Sequence, residues 1–487
     1  MTDKLDSGKI SQINYPLVKI SGFSKIKPNE VVDFGKGRFG QVISFNQDGC
    51  IVSLFFEDHL QIGDPVTATG KMPQISFDAE RVFGTVINPL GETLLSHNEG
   101  KRSTHLEIDT PALPLSLRAN LNQQLETGVS IVDSLLPLAK GQREIIVGDK
   151  KVGKTNFLRR VIKTQAQQRQ IIVYALVGKR ISAAKQLYEY LKREKITKQV
   201  ITIASLAHHS AGLINLTPFA AMAVAEFYRD QGHDVVVVLD NLSNHAQFYR
   251  QLSLLAAKFP GRDSYPGDIF YTHARLLERA GNFKHPFDPQ KTNSVTCLPM
   301  VESAEGDLTD FIVSNLIGIT DGHLFFNKSL FEKGQRPAID FSLSVTRVGK
   351  QTQNPIQREL NYQITAFLAK YNEVLKITHF GSDLPAESRK IVDKGNLLLG
   401  FFEEGQNEQV PLAVQQVLLT IIYQEILAFK NKDELQQFKT NFLQSYQQNE
   451  SCTTLMDKLV QVKDLDTLIQ QIENNLPKIK KYGATAA

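Results

Sequence analysis

GDKKVGKT, residues 148–155, follows the apolar run Ile145, Ile146 and Val147 and leads into NFLRRVIKTQ, a stretch with helical spacing. It fits the pattern G-x-x-x-x-G-K-[ST] in full, in the strand-to-helix context that a phosphate-binding loop requires. Gly148 and Gly153 let the backbone turn so that its N–H groups point inward at a β-phosphate, with Asp149, Lys150, Lys151 and Val152 forming the loop between them. Lys154 is placed to reach the β- and γ-phosphates, and the Thr155 hydroxyl to ligate Mg²⁺. The following helix adds its positive N-terminal end. The predicted ligand is ATP or ADP with Mg²⁺, and the predicted fold around it is an α/β sheet.

A second element belongs to the same site. Val235–Leu239 is a run of apolar residues, four of them valine, that ends in Asp240. Such a run predicts a buried parallel strand delivering one acid at its carboxyl end. Asp240 is therefore the expected metal-holding carboxylate, beside Thr155. The neighbouring apolar run Ile171–Val177 ends in Gly178, Lys179 and Arg180. A hydrolytic site needs a carboxylate near the γ-phosphate, usually just after this strand. Lysine cannot accept that proton, although it can neutralise phosphate charge. Glu189 and Glu194 are the nearest alternative acids, and both fall well inside a helical stretch.

Composition narrows the class. The 487 residues allow about three domains, and 22% charged with 42% hydrophobic residues is ordinary globular usage. A net charge of +4 does not by itself indicate nucleic-acid binding. Cys50, Cys297 and Cys452 are far apart, with neither metal-ligand spacing nor a disulfide framework, so the expectation is a reducing cytoplasm. No signal peptide is recognised and no apolar run approaching a membrane span is expected, which makes any membrane role indirect.

Three regions are expected. Residues 1–88 carry short apolar or alternating runs (VVDF, QVISF, CIVSLFF, DPVTATG, FGTVI) between turn residues, the pattern of a small β-barrel. Residues 89–352 alternate buried strands with helices, as in a doubly wound α/β P-loop domain. Residues 353–487 read as helical. Leu360, Ile364, Phe367, Leu368, Tyr371 and Leu375 form one stripe, and Val417, Leu418, Ile421, Ile422 and Ile426 another.

The protein resembles the non-catalytic alpha subunit of rotary F-type ATPases, the ATP synthases. The resemblance rests on TGVSIVDSLLPLAKGQREIIVGD, LDNLSNHAQFYRQLSLL, PGRDSYPGDIFYTHARLLERA, ITDGHLFF, LFEKGQRPAIDFSLSVTRVG and HFGSDL. It implies a central RecA-like domain and an alternating α₃β₃ hexamer with a catalytic beta-like subunit. It also implies a gamma-like central shaft, possible stalk or membrane subunits, no nucleic-acid partner, and a cytoplasmic position on the inner face of the cell membrane. The family position after the strand glycine is Gln; here it is Lys179, which still leaves no base. Arg347 in SVTRVG matches the family arginine that reaches the γ-phosphate in the neighbouring beta site. Phe331 and Arg336 match positions near the bound nucleotide, and Gln406 a base-contacting glutamine. Lys151 replaces the usual loop Gln, and with Lys150 and Lys179 it makes the site cationic, which favours slow nucleotide exchange. The segment before Glu30 is shorter than is usual in the family, which puts ordinary stator attachment in doubt. Sequence beyond about Asn431 matches poorly. These departures are similar to the F-type-like ATPases of some mollicutes, which implies a hydrolysis-driven surface or motility motor as the alternative to ATP synthesis. A hexameric RNA translocase or an export ATPase shares the plan but requires the missing carboxylate.

Overall fold

The computed structural model describes residues 6–46, 48–95, 102–285, 288–378, 385–405 and 408–484. The protein forms two compact units: residues 1–120, 140–150 and 165–321, and residues 121–139, 151–164 and 322–487.

The first unit begins with a closed barrel. Its strands, in spatial order, are Ser7–Asn14, Leu17–Ser21, Gly49–Leu54, Phe39–Asn46, Val31–Asp33 and Pro65–Ala68, the last pairing back onto the first. Inward positions are aliphatic: Ile10, Val18, Ile20, Val32, Val42, Val52, Leu54 and Val66 form one buried cluster. Closure removes the free edges that short strands of this composition would otherwise expose.

Beside the barrel in the same unit lies a parallel sheet in the order Glu144–Gly148, Asp288–Glu302, Val235–Asp240, Ile171–Lys179, Val200–Leu206 and Val86–Ile87. Every residue of Glu144–Gly148, Val200–Leu206 and Val235–Asp240 is buried, as strands covered on both faces must be. Here the FGTVI run departs from the expected barrel. Val86 and Ile87 pair in parallel with Thr202 and Ile203 and are almost fully buried, because the barrel is already closed by Pro65–Ala68. A second departure is the helix Ala211–Asp230, whose length and apolarity would suit a membrane span although none was expected from the sequence. Its most apolar window is 83% buried within the protein, and it packs against the barrel and four strands of the sheet. It is a core helix.

A buried histidine pair joins the helices Leu242–Leu255 and Ile269–Leu277. His245 Nε2 lies 3.2 Å from the Asn215 carbonyl, which can only accept, so that nitrogen carries the proton. His245 Nδ1 is then an acceptor, and His273 Nε2 donates to it at 3.2 Å. Burial pushes His245 down to about 4 and His273 well below the usual histidine range. Both rings stay neutral in the folded state while the unfolded state takes up protons below pH 6.5. Stability is therefore present above pH 6.5 and is lost as pH falls toward 4. The His245 share is on the order of 2 kcal/mol between pH 6.5 and 5. Thermal melts across that window are expected to show a smaller loss for His245→Gln than for the wild type.

The second unit pairs Gly322–Phe326 with Val345–Thr346 and continues into helices Pro355–Thr378, Ala386–Phe401, Leu412–Tyr423, Lys432–Gln448, Glu450–Leu459, Leu465–Asn474 and Leu476–Gly483. Leu360, Ile364, Leu368 and Tyr371 are buried, as are Val417, Leu418, Ile421 and Ile422. Ile426 lies past the end of its helix. The stripes are packing faces, in keeping with a helical C-terminal region. With the barrel and the α/β sheet, they complete the fold class expected from the sequence.

Candidate nucleotide-binding site

In the first unit the carboxyl ends of three strands carry polar groups. Gly148 ends one and aligns with Glu302 on the next; Asp240 ends the third. Asp149 turns its carboxylate away from a phosphate role: Oδ1 accepts from Ser303 Oγ at 3.1 Å and from the Gly306 amide at 2.7 Å. It ties the loop to the turn after Glu302, and only its backbone remains suited to the cradle. Lys150 is exposed and lies 3.6 Å from Glu302 Oε2, a surface pair of little energetic weight. Glu302 also accepts from Asn241 Nδ2 at 3.1 Å. Glu302 was not expected here from the sequence, although it carries the same signal as Asp240, an apolar run ending in an acid.

Asp240 does not stand open for a metal. Lys179 Nζ lies 2.6 Å from Oδ1, and the Tyr174 hydroxyl donates to Oδ2 at 2.9 Å. The expected metal-holding carboxylate is thus already matched to an ammonium and a phenol, and this arrangement does not fit a hydrated Mg²⁺. Among the described residues, no group of three or more His, Cys, Asp or Glu side chains gathers as a metal site. The alternative bases are badly placed. The helix after Lys179 runs Ile181–Arg193, and at about 1.5 Å rise per residue Glu189 is roughly 12 Å and Glu194 roughly 20 Å along it. Glu194 caps that helix and pairs with Arg193 at 3.1 Å.

In the second unit Lys151 is exposed with φ +65°, Val152 is buried, and Gly153 adopts φ +99°, which any Cβ would strain. Lys154 is buried and opens the helix Lys154–Gln167, with Thr155 exposed in its first turn. The Phe331 ring lies beside Gly153, 3.9 Å from where a Cβ would be. Arg336 stacks on Phe331 with its guanidinium carbon 3.5 Å from the ring centroid, and donates to the Phe331 carbonyl at 2.6 Å. The Phe331 ring is therefore a neighbour of the end of the loop, and Arg336 a neighbour of Phe331. Behind them Arg160 donates to Glu404 Oε2 and the Gly128 carbonyl, while Glu404 Oε1 accepts from the Ser130 amide. Asp133, fully buried, accepts from Thr127 and Gly128, and burial pushes its carboxyl up to about 7. Arg347 is exposed, just past the Val345–Thr346 strand. Gln406 and the HFGSDL segment lie outside the described residues.

Residues 128–346 match the nucleotide-binding domain of the ATP synthase alpha/beta family, and residues 353–479 match the family's C-terminal domain. An ATP synthase subunit alpha from Clostridium botulinum (strain Alaska E43 / Type E3) is 33% identical over 442 residues, 90% of this protein and 87% of that one. The chain belongs to the ATP synthase alpha/beta family. Other alpha subunits are similar to this protein over nearly its whole length. One from Mycoplasmoides gallisepticum is 34% identical over 98% of this protein and 92% of its own length. An ATP synthase subunit alpha 1 from Mycoplasmopsis pulmonis is 31% identical over 98% and 91% respectively. The family's nucleotide-binding domain takes in both halves of the loop, Lys179, Asp240, Phe331 and Arg336, and it ends one residue before Arg347. As a member of an alpha/beta ATP synthase family, this is a nucleotide-binding protein, and Lys179 ends the strand that pairs with the Asp240 strand.

Proposed function

We propose that this protein is the non-catalytic, alpha-type member of an alternating hexamer with a catalytic beta-type partner. It holds ATP or ADP at the Gly148–Thr155 loop without hydrolysing it, with Phe331 and Arg336 beside the loop. Gln406 is assigned to the base. The observation that carries this reading is the Lys179–Asp240 ion pair. At the strand end where a hydrolytic site needs a carboxylate, the sequence supplies an ammonium that cannot accept a proton.

The protein's own chemical contribution is assigned to Arg347, extended into the beta-type site, where a guanidinium neutralises charge developing on the transferred phosphoryl group. The helices beyond Pro355 would transmit shaft rotation, placing the complex peripherally on the inner face of the membrane. Family kinship and the buried packing of those helices support this role. Magnesium is the family's usual companion to nucleotide, and the engagement of Asp240 by Lys179 and Tyr174 does not suit it here. Steady-state ATPase assays test the reading. Purified alone, the protein is expected to show no turnover; with its beta-type partner, the complex turns over. Activity of the isolated subunit would overturn the proposal.

A further inference from the structure

Asp240 already has its cation. Lys179 Nζ sits 2.6 Å from Oδ1, with the two side chains only 20% and 6% exposed, and Tyr174 occupies Oδ2. The backbone brings this about. In the parallel pairing of the two strands, Leu176 lies opposite Asp240. The Lys179 strand then shifts register between Leu176 and Lys179 against Val200–Leu206, and Lys179, three residues past Leu176, meets Asp240 through its ammonium. Asn244 Nδ2, donating to the Val177 carbonyl at 3.0 Å, ties that segment to the helix following Asp240. The helix starting at Ile181 fixes its far side.

Charge decides what this arrangement can bind. Attraction between unit charges is several times stronger in a partly buried setting than in water, and salt screens it less. A magnesium ion gives up its water shell reluctantly and needs acceptor oxygens in octahedral directions. At Asp240 it would meet an ammonium at contact distance from Oδ1 and a phenol donating to Oδ2. Lys179 holds positive charge at the same strand end, beside Asp240. We infer that the Lys179 ammonium is a built-in counter-cation that replaces the divalent metal at this site, so that the protein binds ATP about equally well with and without Mg²⁺.

The inference rests on the reading of this protein as a nucleotide binder, and one titration separates the two. ATP is titrated calorimetrically into the full-length protein in excess Mg²⁺ and again in EDTA. Wild type and Lys179→Arg are expected to show dissociation constants within about threefold between the two conditions. Lys179→Gln, which frees Asp240 Oδ1, is expected to lose at least about tenfold on metal removal; thermal melts confirm that both variants are folded. A loss of about tenfold or more for the wild type in EDTA overturns the inference but leaves the nucleotide site standing. So does a Lys179→Gln variant as indifferent to metal as the wild type. Absence of ATP binding by the wild type in both conditions overturns the nucleotide reading itself.

Discussion

Arg347→Ala is expected to lower ATP turnover of the assembled complex by about 10³–10⁵-fold, roughly 4–7 kcal/mol of transition-state stabilisation. ATP affinity of this subunit is expected to stay within about twofold of wild type. The size of the effect follows from chemistry in which little covalent work is left to the protein. Phosphoryl transfer is accelerated by positioned positive charge, and a planar guanidinium offers several donors in a fixed fork. The local structure suits such a task. Arg347 is exposed, and its loop is held on both sides. Thr346 Oγ1 donates to the Pro137 carbonyl at 2.9 Å, and the Gly349 amide returns a hydrogen bond to Thr346 Oγ1 at 3.2 Å. Gly349 passes so close to Pro137 that a Cβ would fall 1.5 Å from its carbonyl oxygen, so the backbone approach requires glycine. Anchoring of this kind lets an exposed side chain act at a defined distance. Steady-state kinetics of the complex, with calorimetry on this subunit, separate the two roles. Unchanged turnover would remove Arg347 from the reaction, and a parallel loss of thermal stability would mark it as structural.

Arg160→Ala is expected to destabilise the second unit by roughly 3–5 kcal/mol. Arg160 and Glu404 have side chains 8% and 0% exposed and form a 2.5 Å ion pair, with Glu404 also holding the Ser130 amide and Arg160 the Gly128 carbonyl. Removing the guanidinium leaves a carboxylate in the interior with one backbone donor in place of its charge partner. Removing both charges costs much less, because an apolar pair of similar volume leaves no uncompensated ion. Denaturant unfolding should therefore show Arg160→Met/Glu404→Leu to be more stable than Arg160→Ala. A double variant as unstable as the single one would show that packing, not charge, dominates. The pair also carries functional interest, since the Glu404 amide donates to the Arg336 carbonyl and so supports the stack on Phe331.

Much of the site was legible in the sequence. The loop motif, the two buried strands and the acid at the end of one of them are local patterns, and local patterns reflect backbone geometry directly. Phe331 and Arg336 came from resemblance; in the structure Phe331 lies beside Gly153 and Arg336 stacks on Phe331. Other features were not legible. Nothing in FGTVI distinguishes a barrel strand from a sheet strand, because both need the same short apolar run. The contacts of the Asp149 side chain with Ser303 and Gly306 join positions 154 and 157 residues apart, which no local pattern carries. The helix Ala211–Asp230 contains no long unbroken apolar stretch to the eye, yet its mean composition is that of a core element.

By itself the sequence determined that this protein has a phosphate-binding loop pattern and a lysine, not a carboxylate, at the end of the Ile171–Lys179 strand, since both depend on residue type at fixed spacing along one strand and one turn. Tertiary structure alone decided what Lys179 does instead. Its partner lies on another strand, and only the parallel register and the shift after Leu176 put the ammonium onto Asp240. Periodicity encodes which residues are buried. Which buried charges meet is set by how strands align, and no stretch of this sequence read alone carries that alignment.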